Sequence, residues 1–472
     1  MRVDAVVIGA GMAGMGAADR LLRAGRSVAV VEAAPGVGGL ARAIRVGGEP
    51  IEPYYHHIFP QDRETLELIE RLGLGDRLEW REGPMAVMHD GRPYPFDSPL
   101  DMLRFAPLSI SERLRMGVAT AVQLVRPDRR HLDRVSASRE ARRWFGRRGY
   151  DTLWRPLLEA KFGRHADTVA MAWLVARIRQ RGGSRRPGGD RLGYLRGSLG
   201  TLADAYAAQL VADGADLRTA TRVRELCRTP EGWQVDVEGP DGPAQLLAST
   251  VIACVSGLIL DRVVDLPPAY AAAMRAIPYR GIVCALLELS RPLSDYYWVN
   301  VTDRLGLGCV GIIEHTNFIP AERYGGRTLV YLAHYVDRDG ETWAASPDAL
   351  VEAVVPAMRA LNPAFERDWI VDVHVNRDPF AQPVPLVGGP MPELPIETGL
   401  PGLFHASLAH VYPDDRGVAK ALGVGASAAG KALVYLAERP IAEPAVPEAS
   451  AAVEVSAAET SAEDRGLTEA PV

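Results

Sequence analysis

The chain has 472 residues, 47% of them hydrophobic and 24% charged, with a formal net charge of −6. That length can bury more than one core, and an acidic balance excludes a general nucleic-acid binder. No apolar run reaches transmembrane length, because the longest, Leu246 to Leu260, is interrupted by Ser249, Thr250, Ser256 and Gly257. Cys227, Cys254, Cys284 and Cys309 are scattered without a CxxC pair, and the first strand leaves no room for a signal peptide. A reduced, cytoplasmic protein is therefore expected.

Val3 to Ile8 reads as a buried strand running into Gly9-Ala10-Gly11-Met12-Ala13-Gly14. The turn needs a permissive φ at Gly9, a pyrophosphate can approach the backbone at Gly11, and Gly14 lets the next helix pack on the strand. That helix is read over Ala17 to Ala24, with its N-terminus facing the phosphates and Gly25 ending it. Val28 to Val31 is the second strand and delivers Glu32 to ribose hydroxyls. Strand, glycine turn, helix and acid in this order mark a dinucleotide site, and the acid argues against a 2′-phosphate.

Past Glu32 and Ala33 the chain reads Gly38-Gly39-Leu40-Ala41-Arg42, where a second piece of backbone can approach the same pyrophosphate and Arg42 can add charge. This glycine pair resembles the double-glycine signature of the flavin amine oxidase superfamily, which includes protoporphyrinogen oxidases, phytoene desaturases and UDP-galactopyranose mutases. The resemblance covers about residues 3 to 435. It implies FAD as cofactor and an α/β fold: a Rossmann-type, glutathione-reductase-like FAD-binding domain with an inserted α+β substrate domain.

Glu52-Pro53-Tyr54-Tyr55-His56-His57-Ile58-Phe59-Pro60 precedes a helix from Arg63 to Leu72. Met85 to Met88, the turn Asp90-Gly91, and Arg92 to Phe96 form a hairpin. The order resembles UDP-galactopyranose mutases and a protoporphyrinogen oxidase-like branch, which implies that the tyrosine–histidine run lies at the flavin. His56 and His57 are accordingly candidates for a flavin contact or a proton carrier. Residues from about 100 to 190 read as helical and arginine-rich, with Ser111 and Ser138 as N-caps. Arginine concentrated in an acidic chain suits an anionic substrate, and Trp154, Arg155 and Lys161 are the candidate contacts. These helices are also compatible with a peripheral membrane contact.

Leu192 to Gly200 leads into a helix over Thr201 to Asp213, followed by strands through Ile252. The resemblance returns this stretch to the FAD domain and implies a backbone contact to adenine at Val223. From Tyr279 to Asp337 the pattern is sheet, then a helix over Glu341 to Leu361 and a strand over Trp369 to Val375. In the resembling family this sheet roofs the flavin, and Tyr331 and His334 are its candidate catalytic residues. Near the C-terminus come a strand over Leu400 to Ser407, a loop through Gly417 and a helix over Val418 to Tyr435. The resemblance points that helix at the flavin pyrimidine, with Asp415, Arg416 and Gly417 as the flavin-proximal loop. Ala406-Ser407 stands where the family carries a glycine. After Arg439 the composition reads as a disordered tail.

The implied division is residues 1–75, 192–265 and 379–439 for FAD, 76–191 as a helical insertion, 266–378 as the substrate sheet, and 440–472 as tail. The cofactor-binding set is Gly9, Gly11, Ala13, Gly14, Glu32, Ala33, Gly38, Gly39, Leu40, Ala41, Arg42, Val223, Asp415, Arg416 and Gly417; no metal is expected. The expected activity is an FAD-dependent oxidase, dehydrogenase or desaturase. It removes a hydride from a C–H bond of a small anionic metabolite, and oxygen or another acceptor takes the electrons. The alternative is a non-redox sugar-nucleotide mutase resembling UDP-galactopyranose mutase.

Overall fold

The strand Arg2–Ile8 is buried at six of its seven positions in the computed structural model, which describes residues 1–125, 130–186, 189–302 and 309–438. The stretch read as a disordered tail lies outside the described residues. Arg2–Ile8 lies between two parallel partners, Val28–Val31 and Gly242–Ala253, and strands covered on both faces are apolar without alternation. Asp216–Arg218 continues the sheet beyond Val28–Val31. The long strand Gly242–Ala253 divides its pairing. Its first half joins an antiparallel meander with Gly232–Gly239 and Arg222–Thr229, and its last three residues run parallel to Leu403–His405. One sheet thus gathers strands from three distant stretches of chain. Helices Met12–Arg23, Ser198–Ala212 and Val418–Glu438 pack over one face.

A second sheet runs in the order Ile370–Pro383, Tyr279–Leu289, Thr328–Val336, Cys309–Glu314, Trp298–Val301, Met85–His89, Arg92–Pro95. The early hairpin therefore belongs to this sheet, through a parallel pairing of Met85–His89 with Trp298–Val301. Helix Pro347–Leu361 covers its outer face, and Tyr54, Phe59 and Tyr194 pack against the inner one. Helices between Pro99 and Ser184 build a third core around Phe105, Phe145 and Phe162.

Local chemistry moves several boundaries. The expected caps Ser111 and Ser138 are not the capping residues: Ser136 accepts from Arg139 N, and Ser109 trades hydrogen bonds with Glu112. A capping hydroxyl must reach the third helical amide, which fixes its place one step before the helix. Ser138 instead donates to the Ala166 carbonyl at 3.0 Å. The expected helix from Glu341 to Leu361 is broken in two, because Ser346 caps a new start with Pro347 in its first turn.

Candidate active site

Gly9 ends the first strand with φ +98°, and its N–H donates to the Val31 carbonyl at 2.8 Å. Two neighbouring glycines have opposite surroundings. A Cβ at Gly14 would lie 1.8 Å from the Gly9 carbonyl oxygen, whereas one at Gly11 would meet nothing nearer than the Gly39 Cα at 4.0 Å. Gly14 is thus required by the packing of helix on strand, and Gly11 by whatever fills the space before it. The second glycine pair comes to the same place: Gly38 N donates to the Ala10 carbonyl at 2.8 Å, and Gly11 bridges Gly38. Glu32 links the two turns, accepting from Ala10 N at 2.8 Å and Ala34 N at 2.7 Å.

Gly11, Ala13, Gly38, Gly39, Leu40 and Ala41 line one end of a cavity of about 370 Å³. Gly9, Gly14, Glu32 and Ala33 stand outside that lining, and Arg42 lies beside it with its guanidinium 5.4 Å from the Tyr54 ring. Val223 is on the antiparallel meander, outside that lining and with its side chain packed on the sheet's core. Two residues before it Thr221 N donates to the Glu32 carbonyl at 2.8 Å, which keeps this backbone beside the Glu32 turn.

The other end is polar and draws on three regions. Lys161 Nζ donates to both carboxylate oxygens of Asp415, at 2.7 and 3.0 Å, and the two side chains are only 11% and 6% exposed. Arg177 stands 3.5 Å from the same carboxylate. Burial pushes the Asp415 carboxyl up, but Lys161 and Arg177 outweigh it and hold the group well below the usual carboxylate range. Arg416 donates to the Ala381 carbonyl at 2.8 Å and to the Tyr335 hydroxyl. Asp415, Arg416 and Gly417 all face the cavity, at the start of helix Val418–Glu438. Asp415 serves an ion pair there rather than a helix cap.

The tyrosine–histidine run forms a wall of the cavity. His56 Nδ1 donates to the Tyr54 carbonyl at 2.7 Å, which leaves Nε2 as the acceptor. Burial lowers the His56 pKa to about 4. Burial, with Arg181 and Arg177 nearby, also lowers that of His57, whose Nδ1 is 3.1 Å from the Tyr297 hydroxyl. Both imidazoles are therefore neutral near pH 7. Trp298 meets Tyr55 edge-on at 4.7 Å, and the Arg181 guanidinium lies 5.5 Å from the Phe59 ring and 5.6 Å from the Trp298 ring.

Four expected contacts lie elsewhere. Tyr331 is buried in the second sheet and donates to the Glu52 carbonyl at 2.6 Å, while His334 is buried on the opposite face of the same strand. Trp154 stacks on Phe145 at 5.1 Å in the helical core, and Arg155 pairs with Glu159 at the surface at 2.8 Å. The strand Thr328–Val336 is buried along its whole length, so its polar residues alone do not reveal which reaches the site. Tyr335 does, four residues past Tyr331 on the same face. Arg177 is another cavity residue missed, following Trp173 by one helical turn, and Trp298 and Phe380 reach the lining from the second sheet. The carboxylates on the cavity are engaged: Asp62 accepts from Phe59 N and Asp378 from Phe380 N, each at 2.9 Å, and Asp415 holds two cations.

The sequence profile described as flavin containing amine oxidoreductase matches residues 12–430. AofH of Mycobacterium tuberculosis, which carries the name of a flavin-containing monoamine oxidase, is 28% identical over 287 residues, 58% of this chain and 59% of AofH. The match thus spans less than two thirds of that relative. Among solved structures, cyclohexylamine oxidase from Brevibacterium oxydans IH-35A superposes with a TM-score of 0.70 at 16% identity, covering 92% of this chain and 99% of that one. Reduced UDP-galactopyranose mutase gives a TM-score of 0.70 at 16% identity, covering 92% and 96%. At those identities the two structures speak for the fold alone. The empty space before Gly11, faced by the second glycine pair, suits a pyrophosphate, and the residues present fit FAD. This chain belongs to the flavin-containing amine oxidoreductase family.

Proposed function

We propose that this enzyme removes a hydride from a C–H bond of a small anionic metabolite, a carboxylate being the simplest case. Gly11, Gly38 and Gly39 receive the FAD pyrophosphate, Arg42 adds charge, and Glu32 takes the ribose hydroxyls. Asp415 to Gly417 and the first turn of helix Val418–Glu438 face the flavin ring. Bound there, FAD supplies the two-electron acceptor. Lys161 and Arg177 orient the anion. His56, held neutral by burial, presents Nε2 as a hydrogen-bond acceptor to the substrate, and Trp298, Phe59 and Phe380 exclude water.

The observation that carries this reading is the state of Asp415. The carboxylate at the heart of the cavity is already held by Lys161 and Arg177, and Asp62 and Asp378 accept backbone amides. The described lining carries four cationic groups, Lys161, Arg177, Arg416 and Lys420, against the three carboxylates Asp62, Asp378 and Asp415, so the surplus positive charge favours an anion over an ammonium. The mutase alternative has only likeness of fold behind it.

The test is anaerobic titration of the holoenzyme with matched pairs, amino acids against the amines left when their carboxyl group is removed. Bleaching of the oxidised-flavin band by the carboxylate member is expected. Arg177→Met should raise the concentration needed by at least about tenfold, as expected for one charge-assisted contact. Bleaching by the amines alone overturns the reading.

A further inference from the structure

Helix Ile110–Val125 is folded with its polarity reversed. Its buried side chains are Met116 and Gln123, whereas Ile110, Leu114, Val118, Val122 and Val125 are 72, 56, 66, 46 and 79% exposed. Those five recur every three or four residues and so share one face. Leu124, and Leu100 and Leu103 of the preceding helix Pro99–Arg104, widen the patch. Of the 13 large hydrophobic side chains exposed among the described residues, eight lie between residues 100 and 125. Scattered exposure of single apolar residues is ordinary, but concentration on one helix pair is not.

The surroundings say what covers this face. Residues 100–150 carry twelve arginines and five acidic residues in a chain whose net charge is −6. Arg142 and Arg143 on helix Ala137–Phe145, and Arg147 and Arg148 just after it, are exposed on the elements packed beside the apolar helix. Arg115 ties those elements to it, donating to the Trp144 carbonyl at 3.0 Å and the Arg143 carbonyl at 2.6 Å. The Arg143 and Arg147 side chains are 78% and 80% exposed. An apolar stripe flanked by guanidinium groups matches the edge of an anionic bilayer, where aliphatic side chains enter the acyl boundary and arginines meet phosphates. A second copy would instead bring two arginine-rich surfaces together. No helix among the described residues is long and apolar enough to cross a membrane, so the contact lies in the membrane plane.

We propose that helices Pro99–Arg104 and Ile110–Val125 dock this protein onto an anionic lipid surface. The docked face and the cavity share one wall. Helix Met171–Ser184 packs beneath the apolar helix, with Arg179 Nε donating to the Gln123 carbonyl at 2.8 Å, and its Arg177 and Gln180 line the cavity.

The experiment is co-sedimentation of the holoenzyme with vesicles of phosphatidylglycerol and phosphatidylcholine, and with phosphatidylcholine alone. Binding to the anionic vesicles is expected, weakened by salt and by omission of the anionic lipid. The Leu114→Asp/Val118→Asp variant should keep its flavin absorbance and lose at least about tenfold in vesicle partitioning, since two aliphatic side chains leave the interface. Should its flavin content fall, Leu114→Ser/Val118→Ser takes its place; Val434→Asp, exposed elsewhere, should bind like the parent. The proposal is overturned if the parent ignores anionic vesicles or the double variant binds as well. It is equally overturned if light scattering shows a dimer that the double variant dissociates.

Discussion

A methyl group added at Gly11 projects into the cavity, and one added at Gly14 strikes the backbone of its own turn. The two substitutions should therefore fail in different ways. Gly11→Val should leave thermal unfolding of the flavin-free protein unchanged yet strip the purified enzyme of most of its flavin absorbance. Gly14→Ala should cost on the order of 3 kcal/mol of stability before any cofactor is added, since helix and strand must separate. If Gly11→Val retains flavin, the pyrophosphate does not lie before that glycine. The glycine pattern announces itself in sequence because each member answers a local steric need. Lys161 and Asp415 are legible only one at a time: they stand 254 residues apart and meet through tertiary packing. For the same reason Arg155, equally basic in sequence, turns out to serve a surface ion pair.

The helix Val418–Glu438 is built to lie close to Met12–Arg23. A Cβ at Gly425 would sit 1.9 Å from the Ala13 carbonyl oxygen, so the two helix backbones nearly touch there. That contact fixes where Asp415 to Gly417 enter the cavity. Gly425→Val should accordingly lower stability by about 3 kcal/mol and flavin content with it. Gly423→Ala, with nothing within 4 Å of its added Cβ, should raise stability by up to about 1 kcal/mol through helix propensity. Thermal unfolding and the flavin-to-protein absorbance ratio separate the two; equal effects would mean that the close approach is unimportant. Period and small-residue content make elements of this kind legible in the sequence, and the hairpin at Met85–His89 is legible too. Its membership in the second sheet is not, because the parallel partner Trp298–Val301 lies far along the chain and pairing register is invisible to a local pattern.

The two sheets are joined through Glu52, and that junction gives the molecule a pH dependence. One Glu52 carboxylate oxygen accepts from Leu199 N at 2.6 Å, in the first turn of a helix on the first sheet, and the other accepts from the Tyr194 hydroxyl at 3.0 Å. The Glu52 carbonyl takes the Tyr331 hydroxyl of the second sheet. Burial raises the Glu52 pKa from 4.5 to about 7, with those hydrogen bonds opposing it. The folded chain then binds a proton that the unfolded chain has released. This contribution to stability is complete below pH 4.5 and is lost as pH rises through about 7, up to about 3 kcal/mol. Glu52→Gln imitates the neutral form and still accepts from Leu199 N. It should match the parent near pH 4.5 and exceed its stability near pH 8, measured by denaturant unfolding across that range. Glu314, raised to about 7 by its own burial, titrates in the same window, so Glu52→Gln should flatten the slope without abolishing it. Parallel curves for parent and variant would show that Glu52 is ionised in the folded protein throughout, held by the helix start and the Tyr194 hydroxyl. The junction would then be a fixed charge between the sheets rather than a protonated strut.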